Sequence, residues 1–362
     1  MPPVLHRQAE AGRHRRPGRA LRASLRRSQG EQEVADAGRA EALRQAKLRA
    51  LVRGQWGEGD RRPERFPGGA ALVGADTAWV YAAEEPARAL GRGLLWAHRL
   101  PIAQLHLIVD DASGALARRA AAFAAAPTVW RVDDTSLIQA EPEQLGTEPA
   151  LDPRLELLAD VIRRSGAEPV VEHGVLRGEV LGLEVARAAI DEHGPVLEVG
   201  VGKHDRQAQG MVHVDEPTEA ALARVVATVE GHRRGGAPHH PYNRLAPERW
   251  LRARAVANPA LVGAAELTPI PSPVEVDDLR KSAPAPAAGV DVDGRPLVAV
   301  FSTGVDVDLV PAAVDARLSD GRGARLVIVV PERDDHPYLR PLADALIEPA
   351  EVMTVPDDWR SP

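Results

Sequence analysis

The sequence predicts an α/β protein in which Rossmann-like units flank a middle αβββα unit with a mixed sheet. Three observations lead there. Short apolar runs of strand length alternate with amphipathic helical stretches near both ends of the chain. In the middle the order changes, so that one helix precedes three strands before the next helix. Segments rich in Pro, Ala, Gly and acid separate these blocks. The boundaries expected are 1–65, 66–145, 150–256, 257–294 and 295–362.

Residues 1–30 hold eight arginines against one acid, Glu10, without apolar periodicity. They read as disordered, either a nucleic-acid-binding tail or an unstructured leader. Residues 31–54 are rich in helix formers, with a thin apolar stripe. In the first unit, AALVGADTAWVYA reads as two strands turning at Gly74-Ala75-Asp76. ARALGRGLLWAHRL reads as a helix, QLHLIVDD as a buried strand, SGALARRAAAFAAA as a helix with Ser113 at its N-cap, and TVWRVDD as a strand. The middle unit starts with a helix capped by Asp152 and opened by Pro153. Strands near 168–172, 175–187 and 195–202 follow, then a helix near 217–231, a basic loop and a helix near 247–256. Residues 257–294 carry TPIPSPVEVDDLRKSAPAPAAG and read as a semi-rigid linker. PLVAVFS, ARLVIVV and AEVMTV then alternate with two helices, half of a doubly wound fold.

Composition narrows the function classes. The 362 residues are 44% hydrophobic, enough for a sizeable core, and the net charge of −7 excludes a general polycation. The chain has no cysteine, which rules out disulfides, thiolate metal sites and thiol catalysis. No apolar run approaches the roughly 18 residues of a membrane span, and no signal-peptide pattern is visible, so a cytoplasmic protein without a membrane partner is expected. G-x-S-x-G is absent. Forty-two arginines stand against three lysines, Lys47, Lys203 and Lys281. This bias resembles that of proteins from GC-rich actinobacteria, and it dilutes any inference from arginine alone.

The stretch 178–206, GEVLGLEVARAAIDEHGPVLEVGVGKHDR, carries the most chemistry. A hairpin centred on Asp191 would set Glu184 opposite Glu198, on a face otherwise formed by Gly182, Ala186, Gly200 and Gly202. Directly opposed like charges cost up to roughly 1 kcal/mol in a sheet. Four things could offset that cost: a divalent cation, a proton, a cation such as Lys203, Arg187 or Arg206, or water.

The order of elements, with an acid on the second strand and an acid on the third, resembles the restriction-endonuclease-like PD-(D/E)XK core over about 152–232. The resemblance implies that the acids hold Mg²⁺ and that a lysine helps activate the attacking water. Glu184 would match the second-strand acid, Glu198 the third-strand acid, and Glu156 or Asp160 the acid of the first helix. The family's lysine would fall at position 200, which is Gly200, so Lys203 would serve in its place. The function implied is a metal-dependent nuclease-like phosphodiesterase, or a catalytically degenerate nucleic-acid-binding relative.

Two further segments bear on function. The loop HRRGGAPHHPYNRLAPER offers Arg233, Arg234 and Arg244 to phosphate, beside His232, His239 and His240. In FSTGVDVDLVP, the strand end at Ser302-Thr303-Gly304 is where a phosphate can sit, and Asp306 and Asp308 read as helix caps. The competing functions are a non-enzymatic assembly or regulatory protein and a nucleotide-binding enzyme using the C-terminal unit.

Overall fold

The computed structural model describes residues 18–203, 205–206, 218–238, 240–274 and 278–361, with side chains from residue 36 onward. The α/β reading holds. Three separate sheets are present, of six, four and five strands.

The first unit comprises β1 (Arg62–Glu64), β2 (Gly69–Val73), β3 (Thr77–Ala82), α2 (Ala89–Ala97), β4 (Gln104–Val109), α3 (Ser113–Ala120), β5 (Thr128–Asp133) and β6 (Ser136–Gln139). Its strands lie in chain order, with β3–β4 and β4–β5 parallel and the rest antiparallel. Residue alternation decides what each face meets. Ala78, Val80 and Ala82 face the core under α2 and α3, whereas Trp79 and Tyr81 face α1 (Gly18–Trp56), whose Leu48, Leu51 and Val52 cover that side.

The C-terminal unit repeats this scheme. β11 (Ala264–Pro269) and β12 (Ala285–Asp291) are antiparallel and lead into parallel β13 (Pro296–Phe301), β14 (Arg325–Pro331) and β15 (Glu351–Val355). The crossovers are α7 (Leu309–Asp320) and α8 (Leu339–Asp344). The outer face is covered by α6 (Pro247–Ala257), through Trp250, Leu251 and Ala255. The helix layers of the two units pack on each other, so one apolar core runs from Val80 and Leu107 through Leu90 and Val314 to Val300 and Ile328. The approach is backbone to backbone at Gly91, where a Cβ would lie 1.9 Å from the Val307 carbonyl oxygen. Phe123 and Leu346 form a bridge across the same seam.

The middle unit differs from expectation. Its sheet is antiparallel throughout, not mixed, and has four strands, not three: β7 (Glu168–Glu172), β8 (Val175–Val180), β9 (Leu183–Asp191) and β10 (Gly194–Val199). The single strand expected over 175–187 is broken at Leu181 and Gly182, both at positive φ. Gly182 is tight against α6, a Cβ there lying 2.3 Å from the Arg249 backbone, so only glycine fits the turn. α4 (Leu158–Arg164) and α5 (Thr218–His232) cover one sheet face through Ile162, Leu222 and Val229.

Two other expectations change. The segment 257–294 is not only a linker, because it supplies β11 and β12. The disordered stretch expected over 1–30 is helical from Gly18 as far as it is described; residues 1–17 lie outside the described residues. No helix among the described residues is long and apolar enough to cross a membrane.

Candidate functional site: a cationic pocket over a row of glutamates

The β9–β10 hairpin turns at Asp191, as expected, but its centre is shifted. Gly194 pairs with Asp191, which sets Glu198 opposite Arg187 rather than Glu184. The Asp191 carboxylate accepts the His193 and Gly194 N–H groups, and this turn fixes the register. Glu184 instead pairs with Glu179 on β8, and Glu179 pairs with Glu168 on β7. A row of acids on neighbouring strands therefore exists, with different members.

Arginine offsets its charge. Glu184 is buried and meets three guanidinium groups: Arg187 at 3.0 and 3.1 Å, Arg206 at 2.5 Å and Arg177 at 3.2 Å. Glu179 accepts from Arg249 at 2.8 Å and Arg252 at 3.4 Å, both on α6. Glu172, also buried, takes Arg177 at 2.5 Å, Arg249, and the Ser272 N–H at 3.0 Å. Burial opposes ionisation of Glu172, yet Arg249, Arg252 and Arg177 hold its carboxyl down at about 2. Burial of Arg249 is likewise outweighed by Glu179 and Glu172, which raise it.

This donor set does not fit Mg²⁺. A hard cation needs several free oxygens, and those of Glu184 are already bonded to three fixed positive charges. Glu198 is half exposed, and Arg206 at 3.4 Å links it to Glu184. Glu156 and Asp160 are exposed, Asp160 bonding Arg163 at 2.7 Å. Among the described residues no three His, Asp or Glu side chains are grouped as a metal site would need. Of the compensations open at the sequence level, the cationic one is present, in Arg187 and Arg206.

The basic loop is also divided. Arg233 is wholly buried and cannot reach phosphate. Its guanidinium donates to the carbonyls of Tyr242, Leu245, Leu181 and Ala246 and stacks 4.5 Å from the Trp250 ring. Burial lowers it to about 9. It holds the loop's turns together. Arg234 and Arg244 are exposed. His232 and His240 stack at 3.9 Å, and His239 lies outside the described residues.

Above the row of glutamates lies a pocket of about 40 Å³, at the junction of the middle sheet, α6 and the segment before β12. Six cations line it: Arg177, Arg187, Lys203, Arg206, Arg249 and Lys281. Its acids are Glu184, which is already paired, and Glu248. Burial raises Glu248, while its hydroxyl partners Ser282 at 2.8 Å and Thr303 at 3.3 Å resist that shift. Lys203 and Lys281 are exposed at the rim, and among the described residues neither ammonium group is bonded to an acid. Lys203 is thus where sequence reasoning looked, beside Glu184. Lys281 and Arg177 were missed, because they come from segments far apart in the chain, and Arg249 was read only as one more arginine of the basic loop.

At the C-terminal unit the phosphate position is already taken. The Gly304 N–H donates to Asp334 at 2.7 Å, and Thr303 is bonded to Glu248. Asp308 stands at the N-cap of α7 but makes no side-chain cap bond there, so the expected capping by both aspartates is not what they do. Asp306 accepts the Asp308 N–H, but it also bonds Arg88 of the first unit at 2.6 Å. Asp308 accepts the Gly91 N–H at 2.9 Å, and Asp315 binds both Arg118 and Arg119. Burial lifts the Asp308 carboxyl to about 6.

The chain was compared with family models, curated proteins and solved structures, and none of them matches it.

Proposed function

We propose that the protein binds a phosphate-bearing polyanion, with nucleic acid as the ligand class, and does so without metal-dependent catalysis. One observation carries this reading. Two of the three lysines, in a chain that otherwise uses arginine, converge from separate segments on a pocket whose cations outnumber its acids. Lysine ammonium groups without an acid partner are suited to phosphate, which several donors can share. Exposed Arg234 and Arg244, in the loop that leads to pocket-lining Ala246, would supply further contacts to the backbone of a longer ligand.

The test is fluorescence anisotropy with labelled single-stranded RNA and duplex DNA across a salt series. Binding should weaken steeply with salt, and Lys203→Ala with Lys281→Ala should reduce the log–log slope by roughly 1.4 to 1.8. No binding at 50 mM salt, or an unchanged slope in the double variant, would overturn the proposal. Cleavage of the nucleic acid that depends on Mg²⁺ and is lost in Glu198→Gln would restore the nuclease-like reading instead.

A non-enzymatic assembly role is favoured by the same surplus charge if acidic protein segments, not phosphates, supply the match. Competition of bound RNA by poly-glutamate at equal charge would identify it.

A further inference from the structure

The seam between the two Rossmann-like units opens into a groove of about 540 Å³, far from the cationic pocket. Its floor is the place where the units are joined. Phe123 bridges Leu346, the Ala124 N–H donates to the Ala345 carbonyl, and the Ile347 N–H donates to the Ala122 carbonyl. Its walls are aliphatic, with Leu94, Leu100 and Ile102 on one side and Pro341 and Leu342 on the other.

The charge distribution is one-sided. In a chain with 52 acids and a net charge of −7, no Asp or Glu lines this groove. The titratable groups that line it are exposed Arg99 and His98 and the half-buried Tyr338, whose phenol is raised by burial and by Asp306 and Asp334 behind it. Arg99 also lines the neighbouring hollow, beside Arg44, Arg65 and Arg92.

We propose that this groove is a binding site for a small anionic amphiphile, one apolar chain with a carboxylate or phosphate head. The volume lies within the roughly 300–1,000 Å³ of small-ligand sites, and such sites favour unit interfaces. The apolar walls take the chain, and Arg99 takes the head as a charge-assisted hydrogen bond. A ligand here contacts both units at once, so it stabilises their packing. The source proposed is a free amphiphile, not a bilayer, because the site is an open groove with a wall from each unit and not a flat face.

The test is isothermal titration of the full chain with dodecanoate, below its micelle concentration, against dodecyltrimethylammonium of the same chain length. Dodecanoate should bind and raise the melting temperature, and the cationic probe should bind about tenfold more weakly. Arg99→Glu should weaken dodecanoate about tenfold without altering the melting temperature of the free protein. Ala345→Trp, at an exposed position in the groove, should block both probes while leaving the fold intact. Equal affinity for the two head groups would overturn the proposal. So would unchanged dodecanoate binding in Ala345→Trp. Co-flotation with phosphatidylglycerol vesicles, lost in Ala345→Trp and without dodecanoate binding, would overturn it in favour of a membrane surface.

Discussion

Two clusters of arginine and carboxylate hold this molecule together, and they differ in balance. At the seam between the flanking units Arg88, Arg118 and Arg119 meet Asp306, Asp308 and Asp315. The charges match, the aspartates are buried, and nothing positive is left over. On the middle sheet Arg177, Arg187, Arg206, Arg249 and Arg252 meet Glu172, Glu179 and Glu184. Glu168 and Glu198 join this row as well, and the surplus lies at the pocket alone, whose lining holds six cations, Lys203 and Lys281 among them, and two acids. A matched cluster fastens two bodies. One whose cations crowd the lining of a pocket leaves a positive field there that an external anion can meet.

The comparison is sharpest where one buried partner is removed. Glu184→Gln leaves three guanidinium groups around a neutral amide, and Asp315→Asn does the same to Arg118 and Arg119. Each should lower the unfolding free energy by about 3 kcal/mol in urea titrations. A loss under about 1 kcal/mol in either would mean that the cluster is solvated.

Acid separates the clusters next. Asp308, at about 6 against an ordinary 3.8, favours its neutral form in the fold. Its stabilisation is full below pH 4 and is lost as pH rises through 6. His106 in the first unit runs the other way. Burial among Trp56, Trp79 and Trp130 lowers it to about 4 from 6.5, so its stabilisation is full above pH 6.5 and is lost as pH falls through 4. The two slopes oppose each other over one window. Stability should therefore change by less than about 1 kcal/mol in the intact protein, yet fall by up to about 3 kcal/mol from pH 6.5 to 4 in Asp308→Asn. Glu172, held near 2, adds its own loss only as pH falls below 4.5. Urea midpoints at stepped pH would show all three limbs, and a parallel slope in wild type and variant would count against the assignment.

The smallest effects fall on the surplus side. Lys203→Ala with Lys281→Ala should leave stability within about 0.5 kcal/mol, since among the described residues neither exposed lysine is bonded to an acid. The same variant should lose the rise in melting temperature, about 2 °C, that tripolyphosphate gives the wild type. Glu198→Gln should also stay within about 0.5 kcal/mol, as its contact with Arg206 is long and half exposed. A large loss there would mean that the hairpin needs Glu198 more than its geometry implies.

Much of the architecture was legible in the sequence. Short apolar runs such as TAWVYA and QLHLIVDD became β3 and β4, buried on both faces because a helix layer covers each. The β9–β10 turn was visible from Asp191 and Gly194. Its register was not, since the turn bonds of Asp191 to the His193 and Gly194 N–H groups pair Asp191 with Gly194 and move the centre off Asp191. Nor was the pairing of Glu184 with Glu179, which needs a break at Leu181-Gly182 in what reads as continuous strand. That glycine is explained only by the α6 backbone pressed against it. The linker reading of 257–294 failed for a related reason. Pro-rich composition marks a chain without helices, yet β12 runs through Pro286, which faces Val300 of β13 and accepts the Ile270 N–H at its carbonyl. At the site, the need for something to cancel crowded carboxylates was sound, and Arg206 was among the candidates. Arg249 and Arg252 could not be foreseen, because nothing local ties α6 to β8. Arg233 looked like a phosphate ligand by type, whereas its burial turned it into a clip for carbonyl groups.

Gly91 has a consequence of its own. Since two backbone segments touch at that point, the closeness of the flanking units depends on a missing carbon atom as well as on the bonds that draw them together, the Gly91 N–H to Asp308 among them. A methyl group there would act as a wedge, prising the units apart while every ion pair kept both its members. The distance between the halves of this protein is thus recorded at a residue that carries no side chain.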